Sequence, residues 1–433
     1  MRRVVITGMG VVTPIGIGVD KFWDNLTHGV CGIGMITRFD VTDFKVKIAA
    51  EVKDFDPTLF MESNRVRKTD LYTQYGLAAA AMAMKDSGLA EFTDGFKGPV
   101  KIRDVEPERM GVYVGSGIGG MNTFVNETEN LMKNGPGRVS PFFVPMMIGN
   151  IAAGSIAIQY GAKGPCLPVV TACATGSHSI GEAYHAIRAD RADVIISGGC
   201  EASLTPLSVA GFTNCMALTK RNDPTCACIP FDNRRDGFVI AEGAGILVLE
   251  ELEHARERNA TIYAEIVGYG NTCDAYHITA PDPTAQGPAN SIRIALEEAF
   301  RNDPEYKKLI DKSGSIYINA HGTSTPPNDK TETQAIKIAF GEELAYKSMV
   351  SSTKSMTGHM LGAAGAVEAI VSAKALYEGI VPPTLGYSEK DEDCDLDYVP
   401  NVARKVTMDM AVSTSLGFGG HNACLVFKPA RLI

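Results

Sequence analysis

No stretch of these 433 residues approaches the roughly 18 to 20 consecutive apolar residues that a bilayer-spanning helix needs, so no membrane anchor is expected. Basic residues are not in surplus either: 41 Lys and Arg face 50 Asp and Glu, a formal net charge of −9. That balance disfavours nucleic acid and anionic membrane as partners. Pro-rich and Ser-rich linkers are missing, and 45% hydrophobic with 21% charged residues is ordinary globular composition rather than disorder. The ten cysteines lack metal spacing. Cys226 and Cys228 form a C-x-C with no second Cys or His pair nearby, so no metal site is expected there. No secretion signal is expected either, since Met1 runs straight into the strand-like RRVVITG. The expectation is a reducing cytoplasmic setting, or an organellar stroma or matrix if a transit peptide was removed. Most of the cysteines should then be small buried apolar side chains.

What is present points to an α/β protein. The length exceeds one ordinary core, so two domains or a duplicated unit is expected. β-branched runs, Gly-rich turns and Ala-rich stretches with helical spacing alternate. Strands are expected at Val4–Ile6, Gly111–Val114, Val169–Thr171, Asp193–Ser197 and Gly245–Glu250, and helices at Lys21–Thr27, Leu71–Lys85 and Gly176–Ala189. Such alternation implies a largely parallel sheet covered on both faces. A loose repeat is visible. MRRVVITGMG (1–10) resembles YAEIVGYG (263–270), and TACATG before an Ala/Gly-rich helix has a counterpart in KSMTGH before Gly362–Ala375. A boundary therefore falls near residues 251–262, with a charged helix Glu250–Asn259 joining the halves.

Four segments carry chemistry. Cys173 sits where the run Val169-Val170-Thr171 stops and a small-residue helix begins. A helix N-terminus lowers a thiol's pKa and favours thiolate, so Cys173 reads as a nucleophile on a turn like the hydrolase elbow, or else as a buried structural thiol. His321, in YINAHGTST (317–325), is delivered by a β-branched strand onto a Gly turn. There it either donates to a carbonyl or relays a proton, or is a satisfied core group; the hydroxyls after it suit a polar linker. Lys354 and His359 lie in SSTKSMTGH (351–359) before the helix that bears Glu368. A buried Lys354 needs a partner, and Glu368 can supply one; the alternative is a surface loop with a chance lysine. Finally, Ser415–Asn422 contains Gly417-Phe418-Gly419-Gly420, bare backbone of the kind an oxyanion hole uses, or a Gly-rich turn without function. One Cys and two His on separate strand ends suggest thioester chemistry without metal or organic cofactor.

These motifs, with GSGIGG (115–120), SPFFVP (140–145), RRDGFV (234–239) and DAYHIT (274–279), span essentially the whole chain. It resembles the β-ketoacyl-[acyl-carrier-protein] synthases of type II fatty acid synthesis, the elongating condensing enzymes. The resemblance implies a thiolase-like fold, two similar halves layered α-β-α-β-α, with residues 1–255 carrying the nucleophile and 256–433 the two His and the Gly-rich loop. It further implies a homodimer that works on acyl- and malonyl-loaded acyl carrier protein. Cys173 would accept the acyl group, His321 and His359 would promote malonyl decarboxylation, and Lys354 with Glu368 would orient the site. The N–H groups of Cys173 and Phe418 would form the oxyanion hole beside Gly417, and Phe418 would gate the thiol. Ile118 and Phe212 would border the acyl pocket, and Thr323 and Thr325 would contact the phosphopantetheine arm.

Three positions depart from the family pattern. Ala174 follows the nucleophile where Thr or Ser is common, Leu416 replaces an aromatic, and Met216 stands where a basic residue often helps dock the carrier. Basic candidates for an acidic partner are Arg65-Val66-Arg67-Lys68 and Lys220-Arg221, unless they simply face solvent. Among competing readings, a degradative thiolase needs a second Cys as base, and Cys424 lies in an apolar strand instead. A non-catalytic chain-length-factor-like subunit typically lacks the nucleophile; a polyketide ketosynthase shares all three residues.

Overall fold

The computed structural model describes residues 2–93, 95–98, 100–301 and 303–433. The first half builds β1 (Val4–Thr13), α1 (Leu71–Asp86), β2 (Met110–Gly115), α2 (Ile151–Tyr160), α3 (Thr175–Arg188), β3 (Val194–Glu201) and β4 (Gly243–Glu251). The second builds β5 (Ala264–Cys273), α4 (Gln286–Arg301), β6 (Ile316–Asn319), α5 (Pro326–Phe340), β7 (Met349–Ser351), α6 (Ala364–Glu378), β8 (Met410–Gly417) and β9 (His421–Pro429). These strands run in one path, β7-β6-β8-β9-β5-β1-β4-β3-β2, and the short strand Gly16–Ile17 pairs with β1. The halves meet through a three-pair antiparallel ladder from Val4↔Ile266 to Ile6↔Ala264.

The expected largely parallel sheet is wrong. Among the strand ladders of the described residues, only β6 with β7, β6 with β8 and β2 with β3 are parallel; the interior ladders β1–β4, β3–β4, β5–β9 and β8–β9 are antiparallel. The strands are nonetheless buried along nearly their whole length, as all ten residues of β1 show. Covering both faces, not strand direction, makes them read as continuous apolar runs.

The cover forms three helical layers. α1 and α2 pack on the outside of the first half and α4 and α5 on the outside of the second, while α3 and α6 lie between. Separate apolar clusters fill each interface. The Gly-x-Gly repeats explain the close approach of the outer helices. A Cβ at Gly8 or Gly10 would fall 2.3 Å from Ala83 O or 2.1 Å from Ala79 O in α1; at Gly268 or Gly270 it would fall 2.0 Å from Ala295 O or 1.8 Å from Ser291 O in α4. Each half thus spends the same two glycines to seat the same helix. The charged linker helix is shorter than expected, Leu252–Glu257. β4 continues through Glu250 because that buried carboxylate accepts from Thr7 at 2.7 Å and from Arg258 Nε at 2.6 Å. Among the described residues, no helix is long and apolar enough to cross a membrane.

Candidate active site

Cys173 sits on a 3-10 turn, Ala172–Ala174, that feeds directly into α3. The residues before it are not the expected strand; pairing stops at the single bridge Val112↔Cys166. Ala172 takes φ +50°, a left-handed conformation uncommon for a residue with a side chain. The end of β8 lies against the same turn. A Cβ at Gly417 would come within 2.7 Å of Thr171 O and 3.3 Å of Cys173 N, so only glycine lets the next N–H, that of Phe418, reach the Cys173 sulfur.

The imidazoles arrive from the other half. β6 ends two residues before His321. His359 is held by its backbone, donating to Val239 O at 2.8 Å and accepting from Ala241 N at 2.9 Å. The two rings meet edge-on, centroids 5.3 Å apart, with Phe238 at 5.0 Å from His359. Lys354, 1% exposed, donates to His321 O at 2.7 Å, reaches His321 Nδ1 at 3.4 Å and pairs with the Glu368 carboxylate. A donor on Nδ1 leaves Nε2 of His321 as the N–H that faces outward. Three buried oxygens near this cluster, Asn319 Oδ1, Glu368 Oε2 and Ser413 Oγ, have no protein partner.

Cys173, His321, His359, Thr323, Thr325, Gly417 and Phe418 all line one cavity of about 300 Å³. Thr323 and Thr325 place their hydroxyls 2.9 Å apart on its wall. Burial, reinforced by Lys354, drives both imidazoles well below their ordinary pKa, so they stay neutral. The thiol differs from expectation. Desolvation pushes the partly buried Cys173 up to about 12, against the pull of Lys354 and the Phe418 N–H.

The remaining expected residues lie outside the cavity lining. Lys354 and Glu368 stand behind His321. Phe212 packs on Phe238 and Phe418, centroids 5.6 and 6.5 Å away. Ile118 is not brought to the cavity: it is 45% exposed, on a loop whose Gly117 N–H is held by Glu201. Ala174 packs in the core, Leu416 lines the cavity, and Met216 stands at its mouth, 79% exposed. Cys424 is fully buried in β9. Of the basic runs, Arg65 is tied to Ser155 O at 2.9 Å and Arg221 to Arg234 O at 2.6 Å, leaving Arg67, Lys68 and Lys220 exposed. Cys226 and Cys228 join no cluster of His, Cys, Asp or Glu suited to a metal among the described residues.

Sequence reasoning missed two buried carboxylates. Glu332 accepts the N–H groups of His321 and Gly322, each at 2.7 Å, and the Thr414 hydroxyl at 2.6 Å; burial raises it to about 7. Its only signal was position: Asn328, Asp329 and Glu332 share one face of α5. Glu201, at the end of β3, anchors the Ile118 loop. An acidic residue closing an apolar strand was the available clue.

A mixed sheet folded around two buried helices, with a thiol and two neutral imidazoles in one cleft, defines a thioester-processing condensing enzyme by architecture. The model of the beta-ketoacyl synthase N-terminal domain matches residues 1–255 and that of the C-terminal domain residues 263–388, and the chain belongs to this family. It is 48% identical over 428 residues to the 3-oxoacyl-[acyl-carrier-protein] synthase 2 of Coxiella burnetii, covering 99% of this chain and 98% of the relative. The enzyme of that name from Synechocystis is 47% identical over 99% of this chain and 98% of its own. Among solved structures, a beta-ketoacyl synthase from Burkholderia phymatum superposes with a TM-score of 0.87 at 34% identity, covering 100% of both chains. A ketosynthase solved in complex with its type II PKS acyl-carrier protein gives 0.85 at 35% identity, covering 99% of both chains.

Proposed function

We propose that this chain takes an acyl group from acyl carrier protein onto Cys173 and condenses it with malonyl-carrier, giving 3-oxoacyl-carrier and carbon dioxide. The observation that carries this reading is the convergence of the Cys173 thiol, two neutral imidazoles and a Gly-Phe backbone on a single cavity. The relatives' names supply the substrate class, and one neighbour was solved with its carrier protein. Relatives at 47–49% identity over nearly the whole chain bear the synthase name, which favours fatty acid elongation over polyketide assembly. The presence of Cys173 argues against a non-catalytic subunit.

In loading, the Cys173 sulfur bonds the acyl carbonyl carbon and the pantetheine C–S bond breaks. The thiol proton ends on the departing pantetheine sulfur, so no charge is left behind. The N–H groups of Cys173 and Phe418 donate to the oxyanion that forms in passing. In condensation, the malonyl carboxylate leaves as carbon dioxide and its bonding pair becomes an enolate. The enolate oxygen takes hydrogen bonds from the Nε2–H of His321 and His359. Neutral donors suit this step because an imidazolium would protonate the enolate carbon and quench it. That carbon then attacks the acyl carbonyl, and Cys173 departs and recovers a proton from solvent. The steps balance without a metal or organic cofactor. Lys354, held by Glu368, orients His321; Phe418 gates the thiol; Phe212, packed on Phe418, borders the acyl chain; Thr323 and Thr325 contact the arm. Residues 1–255 bring the nucleophile, and 256–433 bring the imidazoles and the Gly-rich loop.

The active form is a homodimer in the cytoplasm. Support for the dimer comes from apolar side chains left open on three successive helices: Phe124 41%, Met132 81%, Val144 56% and Ile158 81% exposed. Ile118, just ahead of the first, is open in the single chain. The test is a reconstituted assay with acyl-carrier and malonyl-carrier. We expect stoichiometric 3-oxoacyl-carrier and carbon dioxide from the wild type and none from Cys173→Ala. Equal product from both proteins would overturn the reading.

A further inference from the structure

Glu201 is the most heavily engaged carboxylate beside the cavity, and no step above uses it. It is fully buried at the end of β3. Its Oε1 accepts from Ser203 Oγ at 2.7 Å and Ser116 Oγ at 3.1 Å; its Oε2 accepts the N–H groups of Gly117 at 2.8 Å and Gly362 at 3.2 Å. The Ser116 hydroxyl in turn accepts the Gly119 N–H at 2.9 Å. Ser116 and Gly117 belong to the Ile118 loop of the first half, Gly362 to the turn that opens α6 in the second, and Ser203 follows β3 itself.

Packing at this junction leaves no room for side chains. A Cβ at Gly362 would lie 2.3 Å from Gly117 N and 2.9 Å from Glu201 Oε2, and one at Gly199 would lie 2.3 Å from Gly362 O. A Cβ at Gly117 would lie 2.8 Å from Glu201 Oε2 and 3.3 Å from the carbonyl oxygen of Ala172, the residue at φ +50° next to the nucleophile. The carboxylate therefore touches, through one layer of glycine backbone, the turn that aims Cys173.

We infer that Glu201 is a positioning residue for Cys173, clamping the Ile118 loop and the start of α6 against the nucleophile turn. No cation pairs with it among the described ion pairs; hydrogen-bond donors alone satisfy it, and burial raises its pKa above the usual carboxylate range. Asp70 and Cys200 lie on its far side, and Lys354, Glu368 and the two imidazoles face Cys173 from the other half. Its negative charge opposes Lys354 at the thiol and helps keep the sulfur protonated.

Glu201→Gln separates charge from clamp. The amide oxygen can still accept from Gly117 and Gly362, while the amide nitrogen faces two serine hydroxyls that rotate to accept. Glu201→Ala removes both. Two measurements on the full-length protein decide the matter: the pH profile of Cys173 alkylation by iodoacetamide, followed on its own peptide by mass spectrometry, and acyl transfer from an acyl-carrier thioester. The second rests on the proposed function; the first needs no substrate. Expected for Glu201→Gln is an alkylation profile moved to lower pH, with several-fold faster labelling near pH 8, and loading retained better than in Glu201→Ala. A Glu201→Gln profile that coincides with the wild type overturns the inference, as does Glu201→Ala loading at the wild-type rate. If Glu201→Ala does not fold, the Glu201→Gln profile alone decides. A shifted profile in a protein that never accepts acyl groups upholds the role of Glu201 and sinks the proposed function instead.

Discussion

Replacing Lys354 by Met tests how the buried polar cluster behind His321 is held. The Lys354 and Glu368 side chains are 1% and 3% exposed, and Lys354 is the donor to Glu368 Oε1 while Oε2 has no partner. Lys354→Met thus leaves a carboxylate in the core with nothing to satisfy it, a change that costs about 3–5 kcal/mol when the charge persists. Glu368 escapes by keeping its proton. Its pKa is already above the ordinary carboxylate value because burial outweighs Lys354, and losing Lys354 raises it further. Between the unfolded and folded pKa the native state then binds the extra proton, so stability falls as pH rises, by about 1.4 kcal/mol per pH unit. The full loss therefore spreads over about 2–4 pH units. Near pH 5 the variant should sit close to the wild type; near pH 8 it should be weaker by about 3 kcal/mol. Lys354→Met with Glu368→Leu removes both charges and should recover most of that deficit, while condensation stays low because His321 has lost its orienting donor. Urea unfolding followed by circular dichroism across this pH range is the assay. The reasoning is refuted if Lys354→Met tracks the wild type at every pH, or if the double variant is as weak as the single one near pH 8.

Cys173, with its thiol near 12, should show an alkylation rate that keeps climbing from about pH 7 to pH 10; a plateau near neutrality would show a thiolate at rest. Changing His321 or His359 to Ala should spare acyl loading yet lower condensation by about 10² or more, seen in single-turnover assays; loss of loading in step with condensation would contradict the division of roles. Glu332, raised to about 7 in the folded protein, holds an extra proton there from the ordinary carboxylate range upward, so its contribution to stability is present at low pH and lost as pH rises through about 7. Glu332→Gln should flatten that part of the stability profile. Cys424→Ala should leave condensation unchanged, since its thiol is packed in β9; a large loss of turnover would reopen the thiolase reading.

Much of this was legible from sequence because small residues leave a signature. The Gly-x-Gly pairs at 8–10 and 268–270 marked the repeat, whose reason the structure supplies in two close helix contacts, and the turns around Cys173, His321, His359 and Phe418 stood out as polar or reactive groups set among glycine and alanine. Strand direction did not show, since a strand covered on both faces looks apolar whichever way it runs. Desolvation of the Cys173 thiol stayed hidden for a related reason: the helix start is visible in sequence, but what encloses the sulfur is not. Glu332 and Glu201 were missed because their partners are backbone N–H groups, which any residue can offer, and hydroxyls far apart in sequence or too common to stand out. Ile118 was expected at the acyl pocket and instead stands exposed on the single chain.

The central claim is that the sulfur of residue 173 carries the acyl chain between carriers, and mass spectrometry of peptides from acyl-carrier-treated protein addresses it most directly. One acyl group should appear on the peptide containing Cys173 and disappear when malonyl-carrier is added. An acyl group found instead on Cys215 or Cys273, both exposed, or one retained after malonyl-carrier, would contradict it.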